Sequence, residues 1–340
     1  MQLKMQSQRD RRNWRLFFRL SIAAAVISAL FGYSQGPDTP LHSLMVGIAG
    51  SIFIATPIML LEIKGQRRVL RRLRRLPLPA YLGLKITFYL VVILGGLSLL
   101  PALHITDAER FAATFRASLV FSVIMAVGTN VVIEIGLLLG FGTLRNLFTG
   151  RYVQPRRELR AFLLIDMRDS TGLAERLGAV PFHELLNDFF RDVSDAALEC
   201  GAEIHKYVGD EAILTWQQKT VADGDCLRCP FIAAELIEER RAHYLARYGA
   251  VPAFRASLHY GEIVAGEIGD VRREIAYVGD TLNSAARLLD AAKELKRDIL
   301  ASEDLLGQTA LPDGVTAEKL PTLSVRGRAQ PLGVSALGRA

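Results

Sequence analysis

Residues 203–216 read EIHKYVGDEAILTW, two apolar-rich runs separated only by Gly209 and Asp210. Two such runs joined by Gly-Asp predict a β-hairpin, because Gly at the first central position of a two-residue turn accepts the positive φ that matches strand twist. Asp at such a tip serves turn chemistry. Nothing in this stretch alone assigns the carboxylate a further task.

Upstream, the strand expected at LRAFLLID (159–166) ends on a second carboxylate, Asp166, directly before a helix expected from about Ser170. A side chain placed there meets several unpaired backbone N–H groups at one sheet edge, and a helix N-terminus of this kind receives phosphate oxygens well. With Asp210 on an adjacent hairpin tip, two carboxylates could hold a pair of divalent ions about 3.5–4 Å apart, the arrangement that supports phosphoryl displacement. Magnesium suits oxygen ligands and polyphosphate partners.

Further along, a second helix is expected at PFHELLNDFFRDVSDAALECG (181–201), and one long helix near 224–247. Strands follow around 252–269 and 273–279, then a helix from Asp280 to about Lys296. Helices and hairpins on one mainly antiparallel sheet make this half α+β. The tetrapeptide YVGD recurs at 277–280 but continues into TLNSAARLLDAAKEL, so Asp280 reads as a helix N-cap. Asn283 and Arg287 are four apart and share a helix face. There an amide and a guanidinium could orient a ribose and neutralise phosphate charge, or simply belong to a solvated face.

The half before residue 142 is of another kind. The chain has 340 residues, 50% of them hydrophobic, and the apolar content concentrates in four stretches, about 16–35, 42–62, 81–103 and 117–141. Each suffices to cross a bilayer, which takes about 20 residues. Lys4, Arg9, Arg11, Arg12, Arg15 and the run KGQRRVLRRLRR (64–75) flank the same side, whereas GPDTP (36–40) and HITDAE (104–109) carry no Lys or Arg. The positive-inside rule then puts both termini, and all after residue 142, in the cytoplasm of an inner (plasma) membrane protein. A cleaved signal peptide is the competing reading of the first span; three further spans and the lack of a small-residue cleavage site oppose it.

The net charge of +6 comes largely from juxtamembrane arginines, which points to anionic lipid rather than nucleic acid. Arg67 to Arg75 either anchor topology or form a basic stripe at the membrane surface. Within the fourth span Asn130 and Glu134 share a face; helix packing is the expected role and a sensing site the alternative. Lys85, near a span end, is expected to snorkel. Haem would need histidines on facing helices, and His42 and His104 sit near span ends. Three cysteines, all after residue 142, fit a reducing compartment. Cys226 and Cys229 form a C-x-x-C with no second pair to complete a zinc site. The stretch 142–158 (GTLRNLFTGRYVQPRRE) reads as a linker, leaving 159–340 as one domain large enough for its own core.

Taken together, LLIDMRDST (163–171), KYVGDE (206–211), YVGDTLNSAARL (277–288) and SVRGRAQPLGVSAL (324–337) resemble, in order, the motifs of the class III nucleotidyl cyclase catalytic domain over about 155–338. The membrane half resembles the anchors of bacterial integral-membrane members in kind only. The resemblance implies a ferredoxin-like βαββαβ core and a head-to-tail homodimer with two equivalent interface sites. It implies Asp166 and Asp210 as metal aspartates, Met167 as the donor of a backbone carbonyl, and two Mg²⁺ or Mn²⁺ ions per site. Lys206 matches the lysine that reads adenine, where guanylate cyclases tend to carry Glu. Asn283 and Arg287 match the pair that positions the ribose and stabilises the pentavalent phosphorus. Arg326, with Arg328 beside it, matches a triphosphate contact, and Arg272 or Arg273 is placed for similar work.

Two positions depart from the pattern. Ala276 stands where a second base-reading residue, Asp, Thr or Ser, is usual, and its methyl accepts no hydrogen bond. Ser170 replaces the usual Phe. The resemblance therefore implies a membrane-anchored adenylate cyclase that converts ATP to 3′,5′-cyclic AMP and pyrophosphate. A guanylate cyclase, or an inactive nucleotide-binding receptor or scaffold, is the alternative. VGDEA also suggests a diguanylate cyclase, but the doubled Gly and aromatic of that signature are absent. A ligand or partner of the membrane half is left open.

Overall fold

The computed structural model describes residues 2–36, 39–64, 76–140, 146, 148–271, 273–323 and 331–339, with side chains undescribed at 2–13, 15, 16, 63, 64, 78, 79 and 137–139. Arg272, Arg326, Arg328 and the basic run 67–75 thus lie outside the described residues. The chain forms two compact units, Met1–Leu138 and Leu139–Ala340.

The first unit is helical: α1 (Gln2–Gln35), α2 (Pro40–Lys64), α3 (Leu78–Ala102) and α4 (Ala108–Leu139). Their apolar windows, Phe17–Gln35, Pro40–Glu62, Ala80–Ala102 and Ala108–Gly136, have mean hydropathies from 1.5 to 2.2 and are long enough to cross a membrane. The fourth helix starts at Ala108 rather than 117. Glu109, Arg110 and Arg116 break the apolar run without breaking the helix, since neither Pro nor Gly intervenes. Small residues let α1 and α2 approach closely. A Cβ on Gly47 would sit 2.1 Å from the Ser28 carbonyl oxygen, and one on Gly32 2.3 Å from that of Ser43.

Lys85 does not snorkel. Its side chain is 2% exposed, and its ammonium donates to Asn130 Oδ1 (2.6 Å), Glu62 Oε1 (2.9 Å) and Glu134 Oε1 (3.1 Å). Tyr89 donates to Glu62 at 2.5 Å and Tyr81 to Glu134 at 3.0 Å. Three donors thus meet three acceptors, and α2, α3 and α4 are tied at one level. The two carboxylates, one on each flanking helix, make burial cheaper than reaching the interface. Lys85→Met should leave both glutamates without their cation, costing on the order of 3 kcal/mol. Thermal unfolding of the detergent-solubilised protein should show a clearly lower Tm; an unchanged Tm would contradict the network's structural role.

The second unit is a sheet with helices. Its elements are β1 (Arg156–Met167), α5 (Ser170–Leu177), α6 (Ala179–Glu199), β2 (Glu203–Val208), β3 (Glu211–Gln217), α7 (Gln218–Val221), α8 (Asp225–Glu239), α9 (Arg241–Tyr248), β4 (Phe254–Ile268), β5 (Glu274–Val278), α10 (Asp280–Glu294), β6 (Ile299–Ser302), α11 (Glu303–Leu306), β7 (Val315–Leu323) and β8 (Leu332–Arg339). Strand order is β2-β3-β1-β4-β6-β8-β7, with β5 paired to β4. Every pairing is antiparallel except β4 with β6. The first four strands, with α5–α6 and α8–α9 as crossovers, give the ferredoxin-like βαββαβ order within an α+β fold.

β1 is apolar without alternation because both its faces are covered. Phe162 and Leu164 pack with Ala285 and Leu289 of α10, while Leu163 and Ile165, turned to the opposite face by strand alternation, are equally buried. Several expectations need correction. The helix near 224–247 is two, because the chain breaks at Arg240 (φ −99°). That break lets α9 set Tyr244 on Asp192 (2.5 Å), and Tyr248 (3.0 Å) and His243 (2.7 Å) on Asp188 of α6. Asp280 is not the N-cap. Gly279 is, at φ 149°, and Asp280 is the first helical residue, its carboxylate receiving Ser284 Oγ at 3.2 Å at the positive end of the helix. Of the expected linker, residues 142–145 and 147 lie outside the described residues, whereas Tyr152 is buried in the sheet core and β1 already begins at Arg156. All three cysteines are buried free thiols, and burial pushes Cys226 up to about 12.

Candidate active site

The β2–β3 hairpin turns on two residues: Val208 pairs with Glu211, leaving Gly209 and Asp210 at the tip. Gly209 has φ 62°, and a Cβ there would meet nothing, so the requirement is conformational, not spatial. The tip is tied to the end of β1 by the Met167 N–H donating to the Asp210 carbonyl at 3.4 Å. Sheet register completes the cluster. Asp166 lies opposite Glu211 on one side and Arg255 on the other. Asp166, Met167 and Asp210 are therefore brought together, beside the start of α5, whose N-cap, Asp169, accepts from Arg176 at 3.2 Å and caps no backbone N–H of the helix with its side chain.

The cluster carries more negative charge than its neighbours offset. Asp166 is raised above its usual range by burial and by Asp210, against the pull of Lys293 and Arg255. Burial, with Asp166 and Asp210 close by, lifts Glu211 to about 7. Lys293, from the C-terminal end of α10, reaches Asp166 Oδ2 at 3.2 Å. Crowded carboxylates under mutual strain are a donor set for a hard cation. Among the described residues no three acidic, His or Cys side chains form a ready-made metal cage. Such a site fits Mg²⁺, which is bound by one or two carboxylates and takes its remaining ligands from water and substrate phosphate.

The other predicted residues lie elsewhere. Lys206 is on β2, half-exposed, its ammonium 3.4 and 3.5 Å from the two carboxylate oxygens of Glu274 on β5. Asn283 is exposed on α10. Arg287 is half-buried on that helix, and its Nη1 is buried with no hydrogen-bond partner among the described residues. Arg273 stands 3.9 Å from Glu267. The helix itself sets a distance: Lys293 touches Asp166, whereas Arg287 and Asn283 precede it by about 9 and 15 Å along the axis at about 1.5 Å per residue. Within one chain Asn283 and Arg287 are thus set back from the carboxylates.

Sequence reasoning missed Glu211, Lys293 and Glu274. The β1–β3 register, implied by the hairpin, would have placed Glu211. Lys293 and Glu274 make contacts distant in sequence, and no local signal announces them.

No protein-family model matches the chain. Adenylate cyclase 2 of Rhizobium meliloti is 37% identical to it over 301 residues, covering 86% of this chain and 83% of that protein. The chain belongs to the class III adenylate cyclases. A more distant relative is the adenylate cyclase of Anabaena cylindrica, 22% identical over 179 residues, 51% of this chain and 35% of its own length. The structure of a bacterial light-regulated adenylyl cyclase shares the fold, with a TM-score of 0.54 at 16% identity over 64% of each chain.

Proposed function

We propose that this cyclase converts ATP to 3′,5′-cyclic AMP and pyrophosphate as a homodimer whose two sites are each shared between copies. The observation that carries the shared site is the set-back of Asn283 and Arg287 along α10. One chain offers Asp166 and Asp210 at one end of the helix, and the partner copy would offer Asn283 and Arg287 from its own. The orphaned, buried Nη1 of Arg287 supports an anionic ligand there.

Asp166 and Asp210, with the backbone carbonyl of Met167, would hold two Mg²⁺ or Mn²⁺ ions. Bound there, the ions would lower the pKa of the ribose 3′-hydroxyl and offset phosphate charge. Lys206 would donate to the purine. Asn283 would orient the ribose, so that its 3′ oxygen lies in line with the α-phosphorus. The new O–P bond forms as the bond to pyrophosphate breaks, and the hydroxyl proton passes to water. Arg287 would stabilise the charge that builds on the phosphoryl oxygens, and Arg326 and Arg272 would hold the triphosphate. The four apolar helices would anchor the enzyme as a multi-pass inner-membrane protein, with lysines and arginines keeping both termini and the catalytic unit cytoplasmic.

Purified full-length protein incubated with ATP and Mn²⁺ should accumulate 3′,5′-cyclic AMP and equimolar pyrophosphate. A folded preparation that binds ATP but forms no cyclic nucleotide would sink the enzymatic reading in favour of a nucleotide-binding receptor.

A further inference from the structure

β5 has two faces of different character. Ile275 and Tyr277 pack against the core of Phe162, Ile213 and Ile263, so the strand period turns Glu274, Ala276 and Val278 the other way. β2 lies alongside: His205 rests on the Tyr277 ring with centroids 4.4 Å apart, and Lys206 meets Glu274. The register irregularity between Ile204 and Lys206 re-aims that lysine. Its ammonium straddles the Glu274 carboxylate, at 3.4 Å from one oxygen and 3.5 Å from the other. Ala276, on the same face of β5, has no acceptor to offer.

We propose that Glu274 is the specificity-determining residue for the base, supplying with its carboxylate the hydrogen-bond acceptor that Ala276 lacks. The inference rests on the reading that Lys206 faces the purine. Residues i and i+2 of a strand are about 6.6 Å apart, and the Glu274 side chain spans that offset, because its carboxylate already lies beside the Lys206 ammonium. Adenine presents a ring nitrogen that accepts and, next to it, an amino group that donates. Lys206 meets the first and Glu274 the second. Guanine reverses the order: its carbonyl oxygen would face the carboxylate, and its ring N–H would face the ammonium. Both contacts are repulsive, and a mispaired polar contact of this kind is how polar sites reject an analogue. The side chains are both near half-exposed, so the pair contributes little to stability and the variants should fold.

The test is competition of ATP and of GTP against a fluorescent ATP analogue bound to the full-length protein, which needs no catalysis. The ratio of the two inhibition constants should shift about tenfold toward GTP in Glu274→Ala. Glu274→Gln, which keeps an acceptor, should shift less. Glu274→Ala combined with Ala276→Asp should regain the ATP preference, because the acceptor returns two residues along the same face. An unchanged ratio in Glu274→Ala would reduce the contact to a surface ion pair. Equal tightening of both nucleotides would make Glu274 a latch on Lys206; either result overturns the proposal. Failure of the cyclase reading would show separately, as the absence of cyclic AMP from the natural protein.

Discussion

Asp210→Asn is expected to lower cyclic AMP formation about a thousandfold while leaving the protein folded in the membrane, and Asp166→Asn should do the same. Each change keeps the shape of the side chain and removes an anionic oxygen from the donor set. The fold has no need of the Asp166 charge. Burial and mutual repulsion already raise Asp166, and Lys293 is its one ion-pair partner at the site among the described residues. Neutralising Asp166 therefore relieves crowding, so its Tm without metal should be unchanged or higher. Mn²⁺ binding, followed by electron paramagnetic resonance, should weaken in parallel with activity. Near-natural turnover in either variant, at normal expression, would contradict the assignment of that aspartate as a metal ligand.

The parts of this enzyme that could be read in its sequence are those written locally. AFLLID is apolar without alternation because helices cover both faces of β1, and the Gly-Asp pair fixes the hairpin because only Gly takes φ 62° there without cost. Those two readings put Asp166 and Asp210 at adjoining strand ends, where the Met167 to Asp210 hydrogen bond joins them. Features that depend on partners distant in sequence were not legible. Lys85 has the appearance of a snorkelling residue until Glu62 and Glu134 are set beside it by two other helices. Lys293 is one of several charges near the end of α10, and only the packing of that helix on β1 and β4 gives it Asp166. Similarly, no Pro or Gly marks the break at Arg240, which follows from how α9 settles on Asp188 and Asp192. Arg272 and Arg326 lie outside the described residues and rest on motif resemblance.

A shared site has one consequence that a site within a single chain does not. If Asp166 and Arg287 serve a given site from different copies, then Asp166→Ala and Arg287→Ala are each inactive alone and complement each other when mixed. With random pairing, half of the dimers are mixed, and each of these has one intact site of two, so about a quarter of natural activity should return. The measurement is cyclic AMP formation by the two variants co-expressed at equal levels, with different tags to isolate mixed dimers. Recovery of about half the natural specific activity in the isolated mixed dimers is the predicted result; mixed dimers that form and remain inactive would contradict the shared site.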